Sequence, residues 1–306
     1  MGTIASIRVF EENPEIQGSF DEPMKRAFSV MENLDSLLST YKENSQVSQL
    51  NRQGYLNHAD PDLIDLIEKS RQIERVTKGA FDITLAALTM KTYHFEDLNQ
   101  LSSSELLIPD PHEIRKALKK TGSFFVQVRG QTIRIKKSGL GLDFGGIAKG
   151  YAVDKASQLL QSEGLARGSV ALSGDIRCFG ECLIRVRNPL VAGEAIAEFH
   201  LRGAQLGVST SGAYGRYAGN PKFHHLLDPQ TGGSVSHFSS VTLAGPYSNC
   251  ELDAWATALS VMPAANVKEF LKSHNELAFL LVYPDLKVET NFDSQNWISQ
   301  FRILNR

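Results

Sequence analysis

The chain has 306 residues, enough for one large domain or two smaller ones. Its 32 basic residues stand against 34 acidic ones, which argues against a nucleic-acid or membrane-surface role driven by a basic face. No apolar run is long enough to span a bilayer, and the most apolar stretch, residues 277–283, suits a buried strand. Three cysteines, Cys178, Cys182 and Cys250, form no metal or disulfide framework, and buried free thiols are expected.

The elements follow in chain order. Residues 4–10 read as a strand. Met24, Ala27, Phe28, Met31, Leu34 and Leu38 recur at helical spacing and predict an amphipathic helix that ends near Tyr41, followed by a polar stretch to Asn51. A second helix is expected from Asp60 as N-cap, with Pro61 at its first position and Gly79 closing it. Residues 91–111 are polar and irregular, a surface insertion or a boundary between two lobes of one domain spanning 1–306. Residues 124–128 and 132–136 alternate in polarity around Arg129-Gly130-Gln131, a hairpin signal. A helix is predicted over 149–162. Strands then dominate, over 169–172, 183–186, 195–201, 205–210 and 239–243, with helices over 251–262 and 265–274 and a closing hairpin over 278–290. Strands that do not alternate regularly with helices favour an α+β class with antiparallel sheets flanked by helices.

Several segments can carry chemistry. Leu142-Asp143-Phe144-Gly145-Gly146-Ile147-Ala148-Lys149-Gly150-Tyr151 sets glycines and a lysine at a helix start, where free N–H groups and partial positive charge suit a phosphate or diphosphate. It is not a P-loop, because Gly150 follows Lys149, and not a Rossmann loop, because Phe144 stands where the third glycine belongs. Asp253 and Thr257 lie four apart on a predicted helix, so both oxygens share a face and suit magnesium. The plainer alternative is an aspartate favoured by the helix dipole and a threonine bonded back to the main chain. His225 precedes an Asp228-Pro229-Gln230-Thr231-Gly232 turn, Asp175 follows Ser173-Gly174 at the expected end of a buried strand, and residues 209–214 form a small-residue loop after another strand.

Taken together, Met1-Gly2-Thr3, Ser39-Thr40-Tyr41, Gly79-Ala80-Phe81-Asp82, the glycine-rich segment, Ser173-Gly174-Asp175-Ile176, Ser211-Gly212-Ala213-Tyr214, the His225 turn and Asp253-Ala254-Trp255-Ala256-Thr257-Ala258-Leu259 appear in one order. In that order, over residues 1 to about 290, the chain resembles the ApbE family of FAD:protein FMN transferases. The resemblance implies an ApbE-like fold and an enzyme that uses FAD and magnesium. Its expected reaction moves the FMN half of FAD onto a threonine or serine of a target flavoprotein, forms a phosphodiester and releases AMP. A magnesium-dependent FAD pyrophosphatase and a non-catalytic FAD-binding protein are the competing expectations.

Carried over position by position, the resemblance implies that Asp253, Thr257 and the main-chain oxygen of Ala148 hold magnesium. It implies that Met1, Tyr41, Ala80, Phe81, Asp82, Lys149, Asp175 and His225 line the FAD site. His225 is the candidate base for the target hydroxyl, with Asp175 or Asp228 as alternatives. Where the family usually has Asn-Ala-Gly-Gly-Asp-Ile, this chain has Ala171-Leu172-Ser173-Gly174-Asp175-Ile176. The expected location is periplasmic or membrane-anchored if an export leader precedes this segment, and otherwise cytoplasmic.

Overall fold

A computed structural model describes residues 3–10, 18–95, 109–214, 217, 218, 220 and 222–304. The elements are, in order, β1 (Ala5–Val9), α1 (Asp21–Leu38), α2 (Gln46–Gln53), β2 (Tyr55–Leu56), α3 (Pro61–Val76), α4 (Ala86–Thr89), α5 (Pro111–Leu118), β3 (Val126–Arg129), β4 (Thr132–Ile135), α6 (Ala148–Ser162), β5 (Gly168–Leu172), β6 (Asp175–Arg187), β7 (Ala195–Gly212), β8 (Ser240–Gly245), α7 (Asn249–Val261), α8 (Ala264–Ser273), β9 (Ala278–Val282), β10 (Val288–Thr290) and β11 (Ile298–Ile303).

An antiparallel sheet runs β1-β5-β6-β7-β8-β9-β10. Strands β8 and β11 share one edge of β7, β8 along residues 207–212 and β11 along residues 197–201. A smaller antiparallel sheet runs β2-β4-β3. Both faces of the large sheet are covered. One face, with Val170, Val241 and Leu243, joins the core built by α1, α3, α6, α7 and α8. The other, with Ile184, Phe199, Leu280 and Val282, packs on Phe292 and Ile298. The α+β architecture expected from the sequence is therefore the one observed.

Local signals explain the helix ends. The Asp60 carboxylate accepts from the N–H of Asp62 at 2.8 Å, ahead of Pro61, and Gly79 follows the helix with φ of 83°. The polar stretch after Tyr41 contains an unforeseen helix, α2, capped by Ser45 and closed by Gly54 at φ of 76°. Residues 96–108 of the expected insertion lie outside the described residues, and at its end Asp110 and Pro111 open α5 with the Asp-Pro signature seen at α3. Strand β11 was not foreseen either.

Three expectations for the strands need correction. The separate strands over 195–201 and 205–210 are one continuous β7 of 18 residues, which extends through Gly212. Residues 209–212 are thus strand and not loop, because β8 pairs with them along one edge and the N–H of Thr210 donates to the carbonyl of Gly174 at 3.1 Å on the other side. Asp175 opens β6 rather than ending a strand. It pairs with Leu172 across the turn Ser173-Gly174, and Ser173 takes φ of 59°, the left-handed region that glycine suits.

Cys178 and Cys182 are not free thiols; they form a disulfide with a Cα–Cα separation of 6.0 Å. In a regular strand residues four apart stand about 13 Å apart, too far to bridge. A register shift between Cys178 and Gly180, with Gly180 at φ of 84°, folds β6 enough to bring them together. Cys250 remains free and buried.

Helices α6 and α7 meet at Gly150. A Cβ there would lie 2.0 Å from the carbonyl oxygen of Asn249. Gly150→Ala is therefore expected to destabilise the chain by about 1–3 kcal/mol or more, measured by denaturant unfolding. Without reductant, the denatured protein is expected to titrate one thiol, from Cys250, and with reductant three.

Candidate active site

The site forms where the glycine-rich segment enters α6. Its approach is fixed from two sides. The Asn51 amide donates to the carbonyl of Leu142 at 2.9 Å and accepts from its N–H at 2.7 Å. The Asp143 carboxylate accepts from Thr89 Oγ1 at 2.6 Å and from the N–H of Gly145 at 2.9 Å. The N–H of Asp143 also donates to the carbonyl of Ile83 at 2.8 Å, which fastens the Gly79–Thr84 loop beside the glycine-rich segment. Gly146 is the contact point of three motifs, since a Cβ there would lie 3.0 Å from Thr257 Cγ2 and 3.4 Å from Phe81 Cε2.

Lys149, in the first turn of α6, donates to both oxygens of Asp253 at 3.0 Å and to the carbonyl of Gly145 at 3.3 Å. Its ammonium also lies 3.5 Å from Asp175 Oδ2. Asp253 gains a further bond from the N–H of Gly150 at 3.1 Å, possible only because no side chain separates α6 from α7 there. Asp175 accepts from Ser209 Oγ at 2.6 Å. The side chains of Asp175 and Asp253 are 1% and 3% exposed and that of Lys149 is 25% exposed, so the ammonium is the open end of the cluster.

Burial, and next the negative charge of Asp253, push the Asp175 carboxyl above the usual carboxylate range, while Lys149 pulls it back. Burial works against the Lys149 charge, but Asp253 and Asp175 outweigh it and hold the ammonium above its ordinary range. Thr257, one turn after Asp253, meets Ser211 Oγ at 3.2 Å across to β7, so its hydroxyl looks toward the sheet. Ala148, the first residue of α6, is buried beside them. Lys149, Asp175, Asp253 and Thr257 are thus gathered at one place, with Ala148 adjoining.

The other sequence-derived residues are placed less tightly. Phe81 is buried against Gly146 and Ala80 is half-buried. Asp82 accepts from the N–H and the hydroxyl of Thr84, each at 2.7 Å, and burial raises its carboxyl above the ordinary range. Tyr41 stands half exposed in the loop between α1 and α2. His225 is half-buried next to fully buried His224. Asp228 accepts from the N–H of Gln230 and from Thr231 Oγ1, both at 2.9 Å, so its carboxylate builds the Asp-Pro-Gln-Thr-Gly turn. Met1 lies outside the described residues. Among the described residues, no group of three or more His, Cys, Asp or Glu side chains is gathered to hold a metal ion.

Sequence reasoning missed Ser209 as a partner of Asp175 and missed Asp154, Arg177 and Asn249 altogether. Asn249 is fully buried and donates to the carbonyls of Ile176 and Val208, each at 3.0 Å, splicing the start of α7 into β6 and β7. Its only signal is its place after Ser248, which caps α7 through a capping box with Glu251.

A carboxyl raised on folding adds stability that is complete below its unfolded range and is lost as pH climbs through its folded value. Asp175→Asn keeps the acceptor for Ser209 and removes the charge. It is expected to stabilise the chain by on the order of 1 kcal/mol at pH 8, and the gain should vanish as pH falls through the ordinary carboxylate range, read from unfolding curves at several pH values.

Known proteins resemble this chain along nearly its whole length. A family model described as the ApbE family matches residues 1–281. A protein of Treponema pallidum named FAD:protein FMN transferase is 26% identical, over all of this chain and 88% of its own length. One of Escherichia coli K12 with the same name is 30% identical, over 88% of this chain and 77% of its own. The crystal structure of the ApbE protein of Thermotoga maritima superposes with a TM-score of 0.79 at 26% identity, covering 97% of this chain and 96% of that one. With a family model spanning nearly its whole length, the chain belongs to the ApbE family.

Proposed function

We propose that this protein is a flavin transferase: it moves the FMN half of FAD onto a threonine or serine hydroxyl of a target flavoprotein, with magnesium. The hydroxyl oxygen forms a bond to the FMN phosphorus, the bond from that phosphorus to AMP breaks, and the hydroxyl proton leaves to a base. The observation that carries this reading is the buried cluster of Asp175 and Asp253 around the one ammonium of Lys149, at the helix start where the glycine-rich segment ends.

The residues present fit a magnesium ion. Asp253 and Thr257 offer hard oxygens one turn apart, and the main-chain oxygen of Ala148 is the third donor the family resemblance assigns. Two buried carboxylates face one ammonium, and burial first, then the charge of Asp253, pushes the Asp175 carboxyl upward. When bound, magnesium neutralises diphosphate oxygens and draws electron density from the phosphorus under attack.

The chain's own residues do the rest. The open Lys149 ammonium contributes positive charge to the diphosphate, while buried Asp175 holds that ammonium in place. Gly146 keeps the loop low enough for a ligand to approach Thr257. Ala80, Phe81 and Asp82 line the FAD site from the Gly79–Thr84 loop, and the resemblance assigns Tyr41 and Met1 to it as well. Half-buried His225 takes the hydroxyl proton, since Asp175 is almost sealed from solvent and Asp228 is bound into its turn. The Cys178–Cys182 disulfide supports work in an oxidising compartment such as the periplasm. Among the described residues, no helix is long and apolar enough to cross a membrane.

The test is incubation with FAD, magnesium and a candidate acceptor, followed by weighing the acceptor. A gain of one FMN less water is expected, reduced by roughly 100-fold or more in rate by Asp253→Ala, at least the loss that follows removal of a metal's outer-shell partner. Free FMN and AMP with an unmodified acceptor, even when several acceptors are tried, would instead establish hydrolysis. No turnover of FAD would leave only binding.

A further inference from the structure

Helices α6 and α7 grip each other at two places, and only one of them is at the active site. At the site, the N–H of Gly150 on α6 donates to the Asp253 carboxylate on α7. One turn further along α6 the polarity is reversed. Asp154 accepts from the N–H of Asn249 through Oδ1 at 2.9 Å and from the N–H of Cys250 through Oδ2 at 2.8 Å, both in the first turn of α7. Arg177 on β6 completes the junction, donating from Nη2 to Asp154 Oδ1 at 2.8 Å and to the carbonyl of Tyr247 at 2.9 Å. The two charged side chains are 13% and 10% exposed, so these bonds are largely shielded from water.

Capping and coupling are divided between two groups here. The Ser248–Glu251 capping box satisfies the N–H groups of Ser248 and Glu251 from within α7, and the two that it leaves, those of Asn249 and Cys250, are taken by a carboxylate on another helix. What Asp154 adds is a link between helices. A carboxylate that holds two successive N–H groups fixes both the height and the rotation of α7, and those two coordinates decide where Asp253 and Thr257 stand relative to Lys149 and Gly146.

We propose that Asp154, anchored by Arg177, is the positioning residue of the Asp253–Thr257 oxygen pair and so sets the affinity of the site for a divalent cation. The inference rests on the magnesium reading given above. It is independent of which acceptor the enzyme serves.

The test measures Mn2+ binding directly, by electron paramagnetic resonance, on the folded full-length chain with FAD present and no acceptor, alongside thermal melting. Asp154→Asn keeps one oxygen acceptor and removes the charge. Asp62→Asn is the comparison: Asp62 accepts from the Tyr151 hydroxyl at 2.8 Å and pairs with Lys155 at 2.6 Å, both on α6. Asp154→Asn is expected to weaken Mn2+ binding about 10-fold to 100-fold, as loss of an outer-shell partner does, and Asp62→Asn to leave it within about twofold. Asp154→Glu, which restores the charge but lengthens the side chain, is expected to recover melting temperature and not Mn2+ affinity. Lower melting temperatures with unchanged Mn2+ affinity in the Asp154 variants would overturn the proposal and leave Asp154 a purely structural residue. A wild-type chain that transfers FMN yet binds no Mn2+ would overturn the metal reading itself, a result that the variants cannot imitate.

Discussion

The close approach of α6 to α7 is the constraint on which the rest of the site depends. Gly150 lies against the main chain of Asn249, and any side chain there would occupy the space of a carbonyl. Because the two helices touch at the backbone, the N–H of Gly150 can reach a carboxylate on the neighbouring helix, and Lys149 beside it lands on the same carboxylate. Helix packing thus converts two residues adjacent in sequence into two donors on one acceptor. The glycine-rich segment is a packing device first, and the phosphate-binding role proposed for it follows from where that packing puts the helix start.

Electrostatics then sets the charge balance of the site. Two aspartates buried to within a few percent of full enclosure share one lysine, and the surplus negative charge cannot be spread into water. A structure that needed only stability would replace such a cluster with apolar side chains. Its presence at the start of α6, with the Thr257 hydroxyl and the backbone of Gly146 beside it, is the arrangement expected where a cation and a diphosphate are to be handled together.

The supporting contacts are spread across the chain. Asn51, Thr89, Ser209, Ser211, Asp154 and Arg177 come from five different elements or their ends: Asn51 and Thr89 hold the glycine-rich segment, Ser209 and Ser211 hold Asp175 and Thr257, and Asp154 with Arg177 holds the start of α7. The disulfide folds β6 next to Arg177, so the strand that anchors α7 is itself braced covalently. Such dispersal is what gives a loop-built site the rigidity of its scaffold.

The sequence alone was enough for the family and the class of fold, and it named Lys149, Asp175, Asp253 and Thr257, which the fold brings together, because these are written in local signals. Caps such as Asp60-Pro61, helical spacing in α1, the four-residue interval of Asp253 and Thr257, and the order of the motifs all survive without a third dimension. It concealed α2, whose polar composition hid the Ser45 and Gly54 caps that were nonetheless present, and it split β7 at Gly203, although Gly203 lies within the β6–β7 pairing. Only the tertiary structure decided that Cys178 and Cys182 meet, since a strand bulge cancels the distance that regular geometry imposes. Only it decided that Ser209 serves Asp175, that Asp154 holds α7, and that Lys149 answers two carboxylates at once. Those contacts join residues from 26 positions apart, for Lys149 and Asp175, to 104, for Lys149 and Asp253, and no spacing rule along the chain encodes a distance across helices and sheet.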